Sequence, residues 1–242
     1  MRYDLTKFKH GLEELNITLT DEQIEQFLQY YEMLVEKNKV MNLTGITEYE
    51  EVIQKHFLDS LSLIRVIPDI ASQKLTVIDL GTGAGFPGIP LKIAFPELDI
   101  TLMDSLNKRI LFLQEVIDAL GLKKVSAVHG RAEEMASNAT HRQQYDLCVS
   151  RAVSNLAVLT EYCLPFVKKG GLFVSYKSAD SDAEIQEGKK AISILGGKLT
   201  SVDKFQLPDS DLRRALVCIK KVKDTPKKYP RKAGTPAKLP LK

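Results

Sequence analysis

Four short segments of the chain carry residues whose types and spacing suit them to chemistry. The run VIDLGTGAGFPGIPL, residues 77–91, sets Gly81, Gly83 and Gly85 two apart behind Asp79. Glycines in such a turn let the backbone take positive φ and let a ligand lie directly against the main chain. The helix expected next offers unpaired N–H groups to a negative group, either a phosphate or a carboxylate. The spacing is GxGxG, because Phe86 stands where the dinucleotide fingerprint has its third glycine. A tight strand-to-helix turn without a ligand is the plain alternative. Met103-Asp104-Ser105 places a carboxylate 25 residues after Asp79, suited to both hydroxyls of a ribose and hostile to a 2′-phosphate. Gly130-Arg131-Ala132-Glu133-Glu134 offers a backbone N–H and a carboxylate to an adenine, with Glu134 read as a helix-start acid facing water. Ser150-Arg151-Ala152-Val153 follows an apolar run. Its Arg151 suits either orientation of a ligand or a buried ion pair with an acid such as Asp79.

The elements that must position these residues are legible from periodicity. From Leu75 onward, short β-branched or apolar runs alternate with amphipathic stretches. That pattern predicts a parallel sheet covered on both faces. KLTSVDKFQL and RRALVCIKKV lack an intervening helix and read as a hairpin around PDSDL. The expected fold is α/β: a seven-stranded, mostly parallel Rossmann-like sheet with an antiparallel last strand, preceded by a small helical N-terminal subdomain. In such sheets ligands bind beyond the carboxyl ends of the strands. Helices are expected from about Asn155 to Lys168 and from Asp180 to Leu195. In the N-terminal part, Thr20 and Gln23 fit a capping box before Ile24, Phe27, Leu28, Tyr31, Leu34 and Val35 at helical spacing. A second helical stretch runs from Thr47 to before Pro68. The expected units are residues 1–72, 73–223 and a basic tail, 224–242.

At 242 residues and 44% hydrophobic content the chain can bury a sizeable core. There is no run of 18 apolar residues and no signal-peptide pattern at the N-terminus, so a cytoplasmic protein is expected. Cys148, Cys163 and Cys218 sit in apolar contexts and read as reduced core thiols. The histidines show no metal-ligand spacing, and no metal is expected. Of 34 basic and 31 acidic residues, nine basic and one acidic lie in 220–242, a net of +8, which leaves 25 against 30, or −5, on the body. That tail holds four of the ten prolines, so no helix or central strand is expected beyond Val222. Lys227, Lys228, Arg231 and Lys232 around Tyr229 offer phosphate contacts and one stacking ring, extended by Lys108 and Arg109. Truncation after Val222 is expected to weaken contact with a phosphate-bearing partner and to spare the ligand of the glycine turn. Tyr176-Lys177 borders the expected cleft as a further contact for such a partner, and His56 is a minor catalytic candidate.

DLGTGAGFPG, LMDSLNKR, GRAEE and YDLCVSRAV resemble class I methyltransferases that use S-adenosylmethionine. NLTGI, KHFLDSL, GAGFPGIPLKI, DSLNKRILFL, SRAV and KKYPRKAGTPAKLPL are similar to the bacterial small-subunit ribosomal RNA methyltransferase G family, also called glucose-inhibited division protein B. The resemblance spans nearly the whole chain. It implies methylation of guanine N7 in the decoding-region hairpin of 16S rRNA, with 16S rRNA or the small subunit as partner and the protein a monomer. Carried over by position, cofactor contacts fall on Gly81, Phe86, Ala132, Glu133 and Arg151. Asp104 supplies the ribose acid of the wider superfamily, and Gly83 and Gly85 complete the cofactor turn. Gly88 is read as a packing residue, and Thr82 stands where relatives often have Ser or Ala. Guanine N7 carries no proton, so attack on a sulfonium methyl needs no general base and positioning must supply the rate. Neither the Asn/Asp-Pro-Pro-aromatic motif of amine methyltransferases nor a suitably placed nucleophilic Cys occurs at the fourth strand. Two other readings stand beside this one: a nicotinamide-dependent oxidoreductase, and a non-enzymatic RNA-binding protein on the same fold.

Overall fold

The computed structural model describes residues 3–151 and 154–241. The chain begins with α1 (Thr6–Glu14) and α2 (Asp21–Met41). Thr20 and Gln23 close the expected capping box, the Gln23 N–H donating to Thr20 Oγ1 at 3.2 Å and Thr20 N–H to Gln23 Oε1 at 2.8 Å. The Gln23 amide then donates 2.7 Å to the Ile93 carbonyl. One side chain both starts the helix and docks it. Phe27, Tyr30, Tyr31 and Leu34 of α2 turn inward at helical spacing, and the Phe27 and Tyr30 rings meet Phe57 at 4.9 and 5.7 Å. The second helical stretch is one run with changing pitch. It passes from α3 (Tyr49–Val52) through a π-helical turn, Ile53–Leu58, into α4 (Asp59–Leu61) and a 3-10 turn, Ser62–Arg65. Widened turns of this kind re-aim side chains and recur at functional sites.

The α/β part comprises β1 (Thr76–Leu80), α5 (Gly88–Ala94), β2 (Asp99–Asp104), α6 (Asn107–Ala119), β3 (Val125–His129) and α7 (Ala132–Met135). It continues through β4 (Tyr145–Arg151), α8 (Leu156–Cys163), β5 (Val167–Ser178), α9 (Asp182–Ile194), β6 (Gly197–Gln206) and β7 (Arg213–Lys221). The strands form one seven-stranded sheet in the order β3-β2-β1-β4-β5-β7-β6. The first five strands are parallel, and β7 runs antiparallel to both β5 and β6. This is the expected Rossmann-like sheet. Strand order reverses between β1 and β4, so a ligand crevice belongs at their carboxyl ends.

One face of the sheet packs on α5, α6 and the N-terminal helices in a continuous core that includes Phe8, Phe57, Ile89 and Leu113. The other face buries Leu156, Leu159, Ile185 and Ile192 of α8 and α9. The three cysteines are free and buried, as expected. Among the described residues no helix is long and apolar enough to cross a membrane. Two boundaries differ from the sequence reading. Pro165 lies in a 3-10 turn, Leu164–Phe166, which ends the helix after Cys163 and lets β5 begin at Val167. In the tail, α10 (Thr235–Lys238) is a single helical turn with proline in its first turn, where the missing N–H costs nothing.

Candidate active site

The β1 tip explains three of the glycines. Gly81, Gly83 and Gly85 take φ of 72°, 62° and 111°. Gly81 and Thr82 donate their N–H groups to the Met103 carbonyl at 2.9 and 3.1 Å, strapping the turn to β2. Buried Asp79 braces it from below, its Oδ2 accepting from Thr82 Oγ1 at 2.6 Å and from Gly88 N–H at 2.8 Å. Burial pushes the Asp79 carboxyl up to about 7, against the pull of those two hydrogen bonds. A side chain on Gly88 would strike Leu102 at 2.2 Å, so Gly88 is a packing residue as read. Gly83 is open, with no heavy atom within 4 Å of a notional Cβ, whereas Gly85 would meet Ile89 at 2.6 Å and the Tyr30 hydroxyl at 2.8 Å. Gly85 therefore turns its Cβ position toward the core, and it is not among the residues that line the cavity above the turn.

Beyond the strand tips lies a cavity of about 690 Å³, within the usual range for small-molecule sites, ~300–1,000 Å³. Gly81, Gly83, Phe86, Asp104, Ala132, Glu133 and Arg151 all line it. Asp104 is buried and partly engaged: Oδ2 accepts from Gly83 N–H at 3.0 Å and Arg109 Nη1 at 3.1 Å, and Oδ1 from Leu106 N–H at 2.9 Å. A carboxylate offers about four lone-pair directions, which leaves one on Oδ1. Arg109 thus points at Asp104 instead of extending the basic surface. The Glu133 Oε1 accepts the Gly234 N–H at 3.0 Å, so the tail itself forms part of the cavity wall.

The opposite wall comes from the helical part and the β4 tip. Arg151 donates to Asp59 Oδ2 at 2.8 Å and to the Lys55 carbonyl at 3.2 Å, and lies 5.0 Å over the Phe86 ring. Its ion-pair partner is therefore Asp59, not Asp79. Asp59 also takes Arg214 at 3.2 Å through Oδ1. His56 stacks on Phe86 at 4.5 Å and lines the cavity with Leu43 and Thr44. Burial first, then the neighbouring Arg151, push the His56 imidazole down to about 3, so the ring is neutral near pH 7. Thr44, Arg109, Tyr162 and Gly234 were missed as site residues. NLTGI was the signal for Thr44 and DSLNKRILFL for Arg109, five residues after Asp104, while Tyr162 and Gly234 reach the cavity through tertiary packing.

The sequence profile of the rRNA small subunit methyltransferase G (GidB) family matches residues 23–217. The chain belongs to that family. Ribosomal RNA small subunit methyltransferase G of Lachnoclostridium phytofermentans is 57% identical over 238 residues, covering 98% of each chain. The Bacillus licheniformis protein of the same name is 50% identical over 238 residues, covering 98% of this chain and 99% of its own. Among solved structures, M. jannaschii TYW2 in complex with AdoMet superposes with a TM-score of 0.51 at 13% identity, covering 68% of this chain and 77% of that one. MtNAS in complex with MTA and tNA gives 0.53 at 14%, covering 81% and 74%. These two share the fold.

In this chain the tail folds back on the body. Arg231 makes a bidentate pair with buried Glu161, at 2.6 and 2.9 Å, so it is corrected from an RNA contact to a tether. Tyr229 is buried too and leaves no free stacking ring. Arg142 donates to the Tyr229 and Thr225 carbonyls, both at 2.9 Å, pinning the segment between them. Truncation after Val222 would therefore remove Gly234 and with it part of the cavity wall. Lys227, Lys228 and Lys232 stay exposed. Tyr176 is buried, its hydroxyl donating to the Ser60 carbonyl at 2.8 Å, and Lys177 is held by Ser154 at 2.6 Å, so neither is placed as an RNA contact. Ala152 and Val153 of the SRAV segment lie outside the described residues. On the surface, His10, Glu14 and Asp209 gather into an exposed group that linear spacing does not reveal.

Proposed function

We propose that the protein transfers the methyl group of S-adenosylmethionine to N7 of one guanosine in the decoding-region hairpin of 16S rRNA. Family membership supports the reaction class and the substrate class. The observation that carries the finer reading is a single cavity with two unlike walls. One wall, Gly81, Gly83, Asp104 and Glu133, fits the cofactor: open glycine backbone for the methionine end, one free Asp104 lone-pair direction for a ribose hydroxyl, and an acid beyond β3 toward the base. When bound there, the cofactor supplies an electrophilic methyl on a sulfonium. The other wall, Phe86, His56, Thr44 and Arg151, is left to orient the target base.

Nothing in that second wall is built to take a proton. A neutral imidazole with its pKa near 3 is a poor general base, which suits a ring nitrogen that brings its own lone pair. The cysteines are buried, and burial raises the Cys163 and Cys218 thiols, so neither is an activated nucleophile. Catalysis then rests on alignment of two reactants. The exposed Lys227, Lys228 and Lys232 supply phosphate contacts in the cytoplasm, where the ribosomal substrate is found. Small subunits from a strain lacking the enzyme, incubated with labelled S-adenosylmethionine and digested to nucleosides, should yield label in 7-methylguanosine. Label in any other nucleoside would refute the proposal.

A further inference from the structure

Thr44 stands on the base-facing wall, and its hydroxyl oxygen has two neighbours. The Ile46 N–H donates to it at 3.0 Å, and His56 Nε2 lies 2.9 Å away. The direction of the second bond depends on where the imidazole carries its hydrogen. Arg151 Nη2 lies 3.3 Å from Nδ1, and a guanidinium can only donate. Nδ1 must therefore present its lone pair, which puts the hydrogen on Nε2. The competing arrangement would donate from Nδ1 to the Lys55 carbonyl at 3.1 Å, whose second lone pair is open beside Arg151 Nη1, but it would set the Nδ1 hydrogen against the hydrogens of Arg151 Nη2 at 3.3 Å. A doubly protonated ring is excluded by the same cation and by burial, which hold the imidazole neutral. His56 thus donates to Thr44. A hydroxyl oxygen has two lone pairs, and both are now taken. The Thr44 hydrogen finds no acceptor among the described residues and is left to donate into the cavity that Thr44 lines.

We infer that Thr44 is a specificity-determining contact, its hydroxyl donating to the carbonyl oxygen O6 beside the reacting nitrogen of guanine. This rests on the guanine-N7 proposal. Guanine presents N7 and O6 side by side as acceptors, whereas adenine presents N7 beside an amino donor. A hydroxyl with no lone pair to spare accepts the first pattern and opposes the second. It also discriminates without adding charge next to a base that becomes cationic on N7 methylation, since Arg151 is already paired with Asp59.

The test uses the full-length wild-type protein and small subunits reconstituted with 16S rRNA whose target guanosine is replaced by inosine, which keeps O6, or by 2,6-diaminopurine, which replaces O6 with an amino group. Inosine should be methylated within about tenfold of guanosine, and diaminopurine should fall by roughly 100-fold or more, because a site built for a hydrogen bond leaves a group unpaired with the wrong partner. Thr44→Val should lose roughly 100-fold in kcat/KM on the guanosine particle with cofactor affinity unchanged by calorimetry, and Thr44→Ser should recover to within about tenfold of wild type. Equal rates on diaminopurine and guanosine with the wild-type protein would overturn the inference. So would a Thr44→Ser as slow as Thr44→Val, which would make Thr44 a packing contact. Failure of the wild-type protein on the guanosine particle itself would instead overturn the guanine-N7 proposal.

Discussion

Asp59 is the keystone of the base-facing wall, and replacing it with Asn tests that role without changing shape. Its side chain is 5% exposed and pairs with two guanidiniums, Arg151 at 13% and Arg214 at 25% exposure. Removing one partner of a sealed ion pair costs about 3–5 kcal/mol, because the other charge stays buried and unpaired. Two features reduce that here. Arg214 has room to turn toward water, and Arg151 keeps the Lys55 carbonyl. The expected loss for Asp59→Asn is thus at the lower end, about 3 kcal/mol. For a chain of this length that corresponds to a fall in Tm of about 6–12 °C, at roughly 2–4 °C per kcal/mol. Urea titration with an unchanged m-value would show that stability alone has moved. Arg214→Gln should cost far less, and adding it to Asp59→Asn should recover part of the loss, since it removes one stranded charge. Methyl transfer should fall further than stability accounts for, because Arg151 and the His56 bonded to it lose their anchor. A loss under about 1 kcal/mol would refute the claim that this carboxylate holds the wall together.

Four further outcomes follow from the same geometry. Gly85→Ala should destabilise by about 3 kcal/mol, combining a φ that L-residues avoid with overpacking against Ile89 and Tyr30, whereas Gly83→Ala should cost about 1–2 kcal/mol and chiefly weaken cofactor binding; equal effects of the two on affinity would refute their opposite orientations. Asp104→Asn should weaken S-adenosylmethionine binding by roughly 10- to 100-fold, the value of one charge-assisted hydrogen bond at about 1.5–3 kcal/mol, and calorimetry showing unchanged affinity would remove Asp104 from the site. His56 at about 3 and Asp79 at about 7 act oppositely on stability: the unfolded chain protonates the histidine first, so that contribution is lost as pH falls from about 6.5, while the native state holds the Asp79 proton longer, so that contribution is lost as pH rises from about 4 to 7. Relative to wild type between pH 4 and 6.5, Asp79→Asn should make stability climb with pH and His56→Gln should make it decline, each by up to about 1.4 kcal/mol per pH unit; a declining slope for Asp79→Asn would contradict the Asp79 environment, and a climbing slope for His56→Gln that of His56. Replacing Lys227, Lys228 and Lys232 with Gln should lower RNA affinity and reduce the salt slope by nearly one for each phosphate no longer neutralised, while leaving stability unchanged; an unaltered slope would exclude the tail from the RNA interface.

The parts of the molecule visible in the sequence are those whose physics is local. A capping box needs only Thr20 and Gln23, three residues apart, and the alternation of apolar strands with amphipathic helices follows from burial on both faces of a parallel sheet. The glycine turn and Asp104 were visible because strand ends converge on the switch point in every sheet of this type. What the sequence hid depends on interactions across long stretches of chain. Arg231 reads as an RNA-binding cation until Glu161, 70 residues earlier, is seen beneath it. Gly85 is indistinguishable from Gly83 by spacing, and only the Tyr30 hydroxyl against it shows which way it faces. His56 lies in the π-helical turn Ile53–Leu58 and Asp59 directly after it, while Thr44 sits in the connection that follows α2, and no sequence period announces that turn.

The central claim, that this cavity methylates one guanosine of 16S rRNA at N7, is tested most directly by mapping 7-methylguanosine along 16S rRNA from cells lacking the gene, with and without complementation. The account predicts that a single decoding-region 7-methylguanosine disappears on deletion, returns with the wild-type gene, and does not return with Asp59→Asn expressed at equal level. An unchanged modification map after deletion, or a loss that the wild-type gene fails to restore, would contradict it.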